Sequence, residues 1–133
     1  MYLTKRSHHA VTVMLDVMLH SQNETFVRLS DIAQRHPISV SYLELLFTFL
    51  VKASLVKGER GPRGGYKLGR SPNEIPVAEI IRTVDRQMNI EQCANDDCQH
   101  SLCISNALWE SLGAEIESYL SNVTLADLAI KKV

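Results

Sequence analysis

Cysteine, proline and glycine are scarce in this 133-residue chain, which holds three, four and six of them, and aromatic residues make up only 6%. So few glycines and prolines, beside 45% hydrophobic residues, exclude a fibrous or low-complexity protein and predict one ordinary folded domain, alone or with an assembly arm. Three cysteines within eleven residues are an odd and crowded set. They suit a metal or redox site better than a disulfide framework. No apolar run approaches the roughly 18 residues of a membrane helix, so no membrane partner is expected. The opening Met1-Tyr2-Leu3-Thr4-Lys5-Arg6 lacks the pattern of a signal peptide, so the expected location is the cytoplasm. Paired carboxylates, a phosphate loop and a nucleophile with its base are also missing, which argues against an enzyme.

A net charge of −1 hides an asymmetry. Residues 1–70 carry ten Lys and Arg against five Asp and Glu, whereas residues 71–133 carry four against ten. A basic front and an acidic back fit a phosphate-binding module followed by a regulatory or assembly module.

Helical spacing of Ala10, Val13, Met14, Val17 and Met18 predicts a buried helix over roughly 4–20, capped by Thr4. A short extended piece over 25–28 leads to a second helix at 31–35, with Ser30 as its expected cap. His36-Pro37 ends that helix, and Ser39 or Ser41 can cap a third, to about Ala53, with Leu43, Leu46, Phe47 and Leu50 inward. Two helices joined by a four-residue turn outline a helix-turn-helix, whose second helix reads a major groove with its N-terminal residues. Strand-like runs 55–60 and 66–68 around Gly61-Pro62-Arg63-Gly64-Gly65 form a hairpin. Its glycine tip lets backbone approach a phosphate while Arg60, Arg63 and Lys67 supply charge. A helix over 77–86, with Pro76 in its first turn, closes the domain, and a polar stretch follows to Ser101. The last long helix, 104–120, has Ala107, Leu108, Leu112, Ile116 and Leu120 on one side with no partner inside the closed domain. A second copy of the chain is the economical cover. A short terminal helix spans 125–130.

Cys93, Cys98 and Cys103 are spaced C-x4-C-x4-C, and five residues of helix turn roughly 500°, so they could converge only from a loop. Thiolates gathered this way suit zinc or an iron-sulfur cluster, and the absence of C-x2-C pairs leans toward a cluster. A fourth ligand could come from His100, His8, His9 or a second subunit; Asn106 is a poor donor. Three reduced cysteines or an opportunistic disulfide is the plainer alternative.

The order of these pieces carries a resemblance. Leu3-Thr4, Ala10-Val11-Thr12 and Met14-Leu15-Asp16 come first, then Ile38-Ser39-Val40-Ser41-Tyr42-Leu43-Glu44. The Gly61-Pro62-Arg63-Gly64-Gly65-Tyr66 wing follows, and the three cysteines precede Ala107-Leu108-Trp109. Over nearly its whole length the chain resembles the bacterial winged-helix iron-sulfur transcription regulators of the IscR/NsrR type. The resemblance implies a mainly α fold with a small β-hairpin wing, a winged helix-turn-helix at 1–86, a cysteine loop at 87–103, and a dimerisation helix with a short terminal helix at 104–133. It implies a homodimeric, double-stranded operator-binding repressor. An iron-sulfur cluster, [2Fe-2S] ahead of [4Fe-4S], would sense cluster supply, oxidants or nitric oxide.

By matching motif, Ser39, Ser41, Tyr42 and Glu44 fall to DNA, with Arg60 and Arg63 on the wing. Glu44 would accept from cytosine N4, and the Ser and Tyr hydroxyls would hold phosphates. Asn106 stands where the IscR-like pattern has a histidine, so His8 of the partner subunit, near the acidic ligand of NsrR-like proteins, is the choice for the fourth position. Two rivals remain: a cluster-free thiol-redox regulator, and a cluster or redox carrier that does not bind DNA.

Overall fold

The computed structural model describes residues 3–21, 25–85 and 101–130. Helix α1 (Lys5–His20) begins at a reciprocal cap: the Thr4 hydroxyl accepts from the Ser7 amide while the Ser7 hydroxyl accepts from the Thr4 amide. Its apolar stripe, Ala10, Val13, Met14 and Val17, is fully buried. Helix α2 (Leu29–Arg35) starts earlier than Ser30 capping would allow. Arg28 occupies the cap position without a side-chain bond. The earlier start turns Leu29, Ile32 and Ala33 toward the core, and that burial outweighs a serine cap.

Helix α3 (Val40–Lys52) is capped by Ser39, whose hydroxyl accepts from the Tyr42 amide at 3.3 Å, and it buries Leu43, Leu46, Phe47 and Leu50. It ends in a Schellman turn with Ser54 at φ 61°. The Ser54 and Leu55 amides donate back to the Val51 and Leu50 carbonyls at 2.9 and 3.0 Å, and Leu50 packs with Leu55 inside the core. The chain thereby reverses directly into the wing.

Strands β1 (Val56–Glu59) and β2 (Gly65–Leu68) pair antiparallel, Val56 opposite Leu68 and Glu59 opposite Gly65. Residue 27 extends this hairpin: Val27 and Tyr66 exchange backbone hydrogen bonds at 2.8 and 2.7 Å. Gly65, at φ 148°, is required there, because a β-carbon would collide with the Val27 carbonyl. The Tyr66 ring packs on Phe47 with centroids 4.5 Å apart, so the wing is bonded to one side of the helix pair and packed on the other.

A 3-10 turn (Pro72–Glu74) leads to α4 (Val77–Val84), with Pro76 at its cap rather than in its first turn. The helix stops at Val84, before the expected Arg86, which lies outside the described residues. There the Asp85 carboxylate accepts from the Thr4 hydroxyl at 2.9 Å, tying the end of α4 to the start of α1. Helix α5 (Ser101–Ser121) is followed by α6 (Leu125–Ala129), which Thr124 and Asp127 cap reciprocally. A bridge between Pro76 and Thr124 and the full burial of Leu125 bring α6 back to the core that α1 and α3 build. Among the described residues no helix is long and apolar enough to cross a membrane.

Among the described residues, one charge lies inside this core. Asp16, 4% exposed on the apolar face of α1, accepts two bonds from Arg35 at 2.5 and 2.8 Å and one from His36 at 2.9 Å. His20 stands 3.5 Å away. The pairing fixes the end of α2 and the turn before α3 to α1. Burial alone would raise the Asp16 pKa, but the hydrogen bonds from Arg35 and His36 and the charges of Arg35 and His20 outweigh it and hold the carboxyl below its ordinary range. A lowered carboxyl pKa stabilises the fold above the unfolded-state value near 4, and that stability is lost as pH falls through the folded-state value. Asp16→Asn should therefore cost about 2–3 kcal/mol at pH 7. Thermal melts should show the gap between variant and parent closing below about pH 4; a gap of constant size would contradict the ion-pair account.

Candidate nucleic-acid interface and cysteine segment

The expected reading residues sit together in the first turn and a half of α3. Ser41, Glu44, Leu45 and Thr48 form one exposed face, opposite buried Leu43, Leu46, Phe47 and Leu50. Ser41 and Glu44 are free to meet a duplex. Ser39 is exposed, but its hydroxyl already serves as the helix cap. Tyr42 is half-buried against the core, and its hydroxyl lies 3.5 Å from Nδ1 of His9, the two rings meeting edge to face at 5.5 Å. It is thus a packing residue with one polar end available, and α1 determines where that end lies.

The wing tip follows from its glycines. Gly61 adopts φ 114° and accepts a bond from the Gly64 amide at 2.9 Å, while Gly64 packs against the Glu59 carbonyl with no room for a side chain. Arg60 and Arg63 project from this tight tip, both exposed. They line a groove of about 740 Å³ whose other wall is Thr25, Phe26 and Arg28. Lys67 holds its ammonium 5.1 Å from the centre of the Phe26 ring, within cation–π range. Arg28 is a groove residue that sequence reading missed, since nothing in its spacing marks it. Asp16 was missed as well, although a lone carboxylate between Val13, Met14 and Val17 could have signalled a buried partner.

Cys93, Cys98 and His100 lie outside the described residues, as does the side chain of Cys103. The backbone of Cys103 is in the first turn of α5, which begins at Ser101. This corrects the expectation of a loop through residue 103. Nothing from Ser101 to Ser105 breaks a helix, so α5 extends back through the third cysteine. His8 is exposed on α1, and among the described residues its ring has no hydrogen-bond or ionic partner. Among the described residues, too, no three metal-ligating side chains come together.

Beyond its first turn, α5 leaves Ile104, Leu108, Trp109, Leu112 and Tyr119 exposed, Ile104 at 68% and Leu108 at 61%. The ion pair of Arg82 with Glu117 at 3.1 Å ties the later part of α5 to α4.

Comparison with known proteins agrees with this architecture. The Rrf2 family profile, described as iron-dependent transcriptional regulator, matches residues 3–131. The HTH-type transcriptional regulator IscR of Photobacterium profundum is 46% identical over 130 residues, 96% of this chain and 75% of that protein. Among solved structures, IscR of T. potens is 32% identical with a TM-score of 0.76, covering 100% of this chain and 89% of that one. CymR (YrzC), the global cysteine regulator of B. subtilis, is 28% identical with a TM-score of 0.78, covering 98% of both chains. These relatives are named as regulators, not enzymes. With a winged helix-turn-helix and a family match across almost every residue, the chain belongs to the Rrf2 family of transcriptional regulators.

Proposed function

We infer that this DNA-binding regulator works in the cytoplasm as a homodimeric repressor, gripping operator DNA with α3 and the wing, and that an iron-sulfur cluster adjusts the grip. The observation that carries the DNA reading is the exposed Ser41/Glu44 face of α3, held on the same core as an arginine-bearing wing. Glu44 is an acceptor suited to cytosine N4 in the major groove. Ser41, the free edge of the Tyr42 hydroxyl, Arg60 and Arg63 suit the phosphate backbone and the minor groove. Ser39 contributes by starting the helix at the right residue.

Dimerisation rests on the uncovered stripe of α5. Ile104, Leu108 and Leu112 repeat every four residues, flanked by Trp109 and Tyr119, and so large an apolar face on one helix calls for a partner surface. A second α5 supplies the same stripe by symmetry.

The donor set fits a cluster. Cys93, Cys98 and Cys103 offer three soft thiolates, and the unpartnered imidazole of His8 from the partner subunit offers a nitrogen, as histidine does in some [2Fe-2S] centres. Bound there, a [2Fe-2S] group would supply a centre sensitive to cluster supply, oxidants or nitric oxide. The protein's own residues give that site a route to DNA: Cys103 rides on α5, the proposed dimer helix. His8 precedes His9, which touches Tyr42 in the first turn of α3. A ligand set divided between Cys103 and the partner's His8 would join the dimer seam of one protomer to the reading helix of the other, so loss of either ligand would change operator affinity.

Three measurements test these assignments. Titration of operator and scrambled duplexes across salt concentrations should show operator preference, and Glu44→Ala should reduce discrimination at one base pair by about 1–3 kcal/mol; equal affinity for every sequence would refute specific binding. Leu108→Asp should convert the dimer to monomer in sedimentation equilibrium and weaken operator binding at least about tenfold, because two half-sites are no longer gripped together. Anaerobically purified protein should contain iron and sulfide. Cys93→Ser should abolish both, together with the response of DNA binding to oxidant; colourless protein with one zinc per chain would instead establish a structural site.

A further inference from the structure

The described arginines divide into two groups. Arg6 donates to the Val84 carbonyl, Arg35 pairs with Asp16, Arg70 with Glu79 and Arg82 with Glu117. Arg28, Arg60 and Arg63 have no such partner among the described residues, and all three line the same groove beside the wing. An exposed guanidinium left unpaired beside two others incurs mutual repulsion that a neighbouring carboxylate would relieve, and the fold supplies a carboxylate to three of the other four, Arg35, Arg70 and Arg82. The groove therefore concentrates positive charge where a polyanion can collect it.

Its placement is rigid. Val27, immediately before Arg28, is bonded on both its amide and its carbonyl to Tyr66 of β2, so Arg28 is held in fixed relation to the wing. Phe26 and Pro62 give the groove apolar walls, and Lys67 adds a fourth cation against the Phe26 ring. The guanidinium fork matches phosphate oxygens better than an ammonium does, and arginines from two chain segments can hold one backbone strand from both sides.

We propose that Arg28 is a third phosphate-binding residue beside the wing, acting with Arg60 and Arg63 to clamp one strand of the DNA backbone. The proposal rests on the operator-binding reading above and extends the DNA surface from α3 and the wing to the segment before α2. Such a contact positions the duplex without reading its sequence, so it strengthens operator and non-operator binding alike. Glu59, a carboxylate on the groove rim, opposes the arginines there. It limits the clamp and provides a test of opposite sign.

Titrating the full-length protein with operator and scrambled duplexes from about 50 to 300 mM salt decides the matter. Arg28→Gln should weaken both duplexes by similar factors, between about three- and tenfold. It should also flatten the plot of log affinity against log salt by about two per dimer, one for each lost copy. Arg28→Lys should keep most of the slope, showing that charge rather than packing is responsible. Glu59→Gln should tighten both duplexes and steepen the slope, and it keeps the test open if Arg28→Gln folds poorly. Unchanged affinity and slope in Arg28→Gln and Glu59→Gln, with the parent protein binding operator normally, would overturn the clamp. A loss confined to the operator would overturn it as well, by making Arg28 a base reader. Failure of the parent protein to bind any duplex would remove the operator reading itself.

Discussion

Tyr66 joins the parts on which the reading surface depends. Its backbone exchanges hydrogen bonds with Val27, its ring packs on Phe47 of α3, and the edge of that ring lies over Gly58 of the opposing strand. A two-stranded hairpin is marginal alone, and Tyr66 with the third piece of chain it recruits holds the wing in place, together with Val56 and Leu68, which pack into the core. Gly65 and Gly58 are the spaces that let Tyr66 do this. With the joint made, α3, the wing and the segment before α2 are tied to one another, and charges far apart in sequence line a common groove.

Asp16 performs the corresponding task on the other side of the helix pair. By pinning Arg35 and His36 it fixes the turn between α2 and α3, and thereby the angle at which α3 leaves the core. A buried ion pair is a poor source of net stability compared with well-packed apolar side chains, so its use here is better explained by the geometry it enforces. The same economy appears at His9, whose ring sets the position of the Tyr42 hydroxyl.

Much of the fold was legible as periodicity. The stripes of α1, α3 and α4 and the glycine-rich hairpin are dictated by residues close in sequence, and the structure has them where the spacing puts them. The errors fall where distant contacts compete with local signals. Ser30 is a good cap, yet α2 begins ahead of it because Leu29 and Ile32 need the core. Cys103 reads as the end of a loop, yet nothing around it resists the helix. The stripe of α4 could run on in sequence, yet the helix stops where Asp85 meets Thr4. Of the proposed DNA surface, Ser41, Glu44, Arg60 and Arg63 could be named from motif alone, whereas Arg28 could not, since its place in the groove depends on what faces it across that groove.

Local chemistry written along the chain was enough to specify the apolar stripes of the helices, the turn between α2 and α3 and the glycine turn at the wing tip, because each depends on residues within a few positions of one another. Which polar groups are already engaged and which stay available was decided only when the chain folded. Ser39 became a cap, Tyr42 half core and Asp16 an anchor, and three arginines along one groove are left without a partner among the described residues. Partnership is a property of distance in space, and hydrogen bonds and charges act over a few ångströms whatever the separation in sequence.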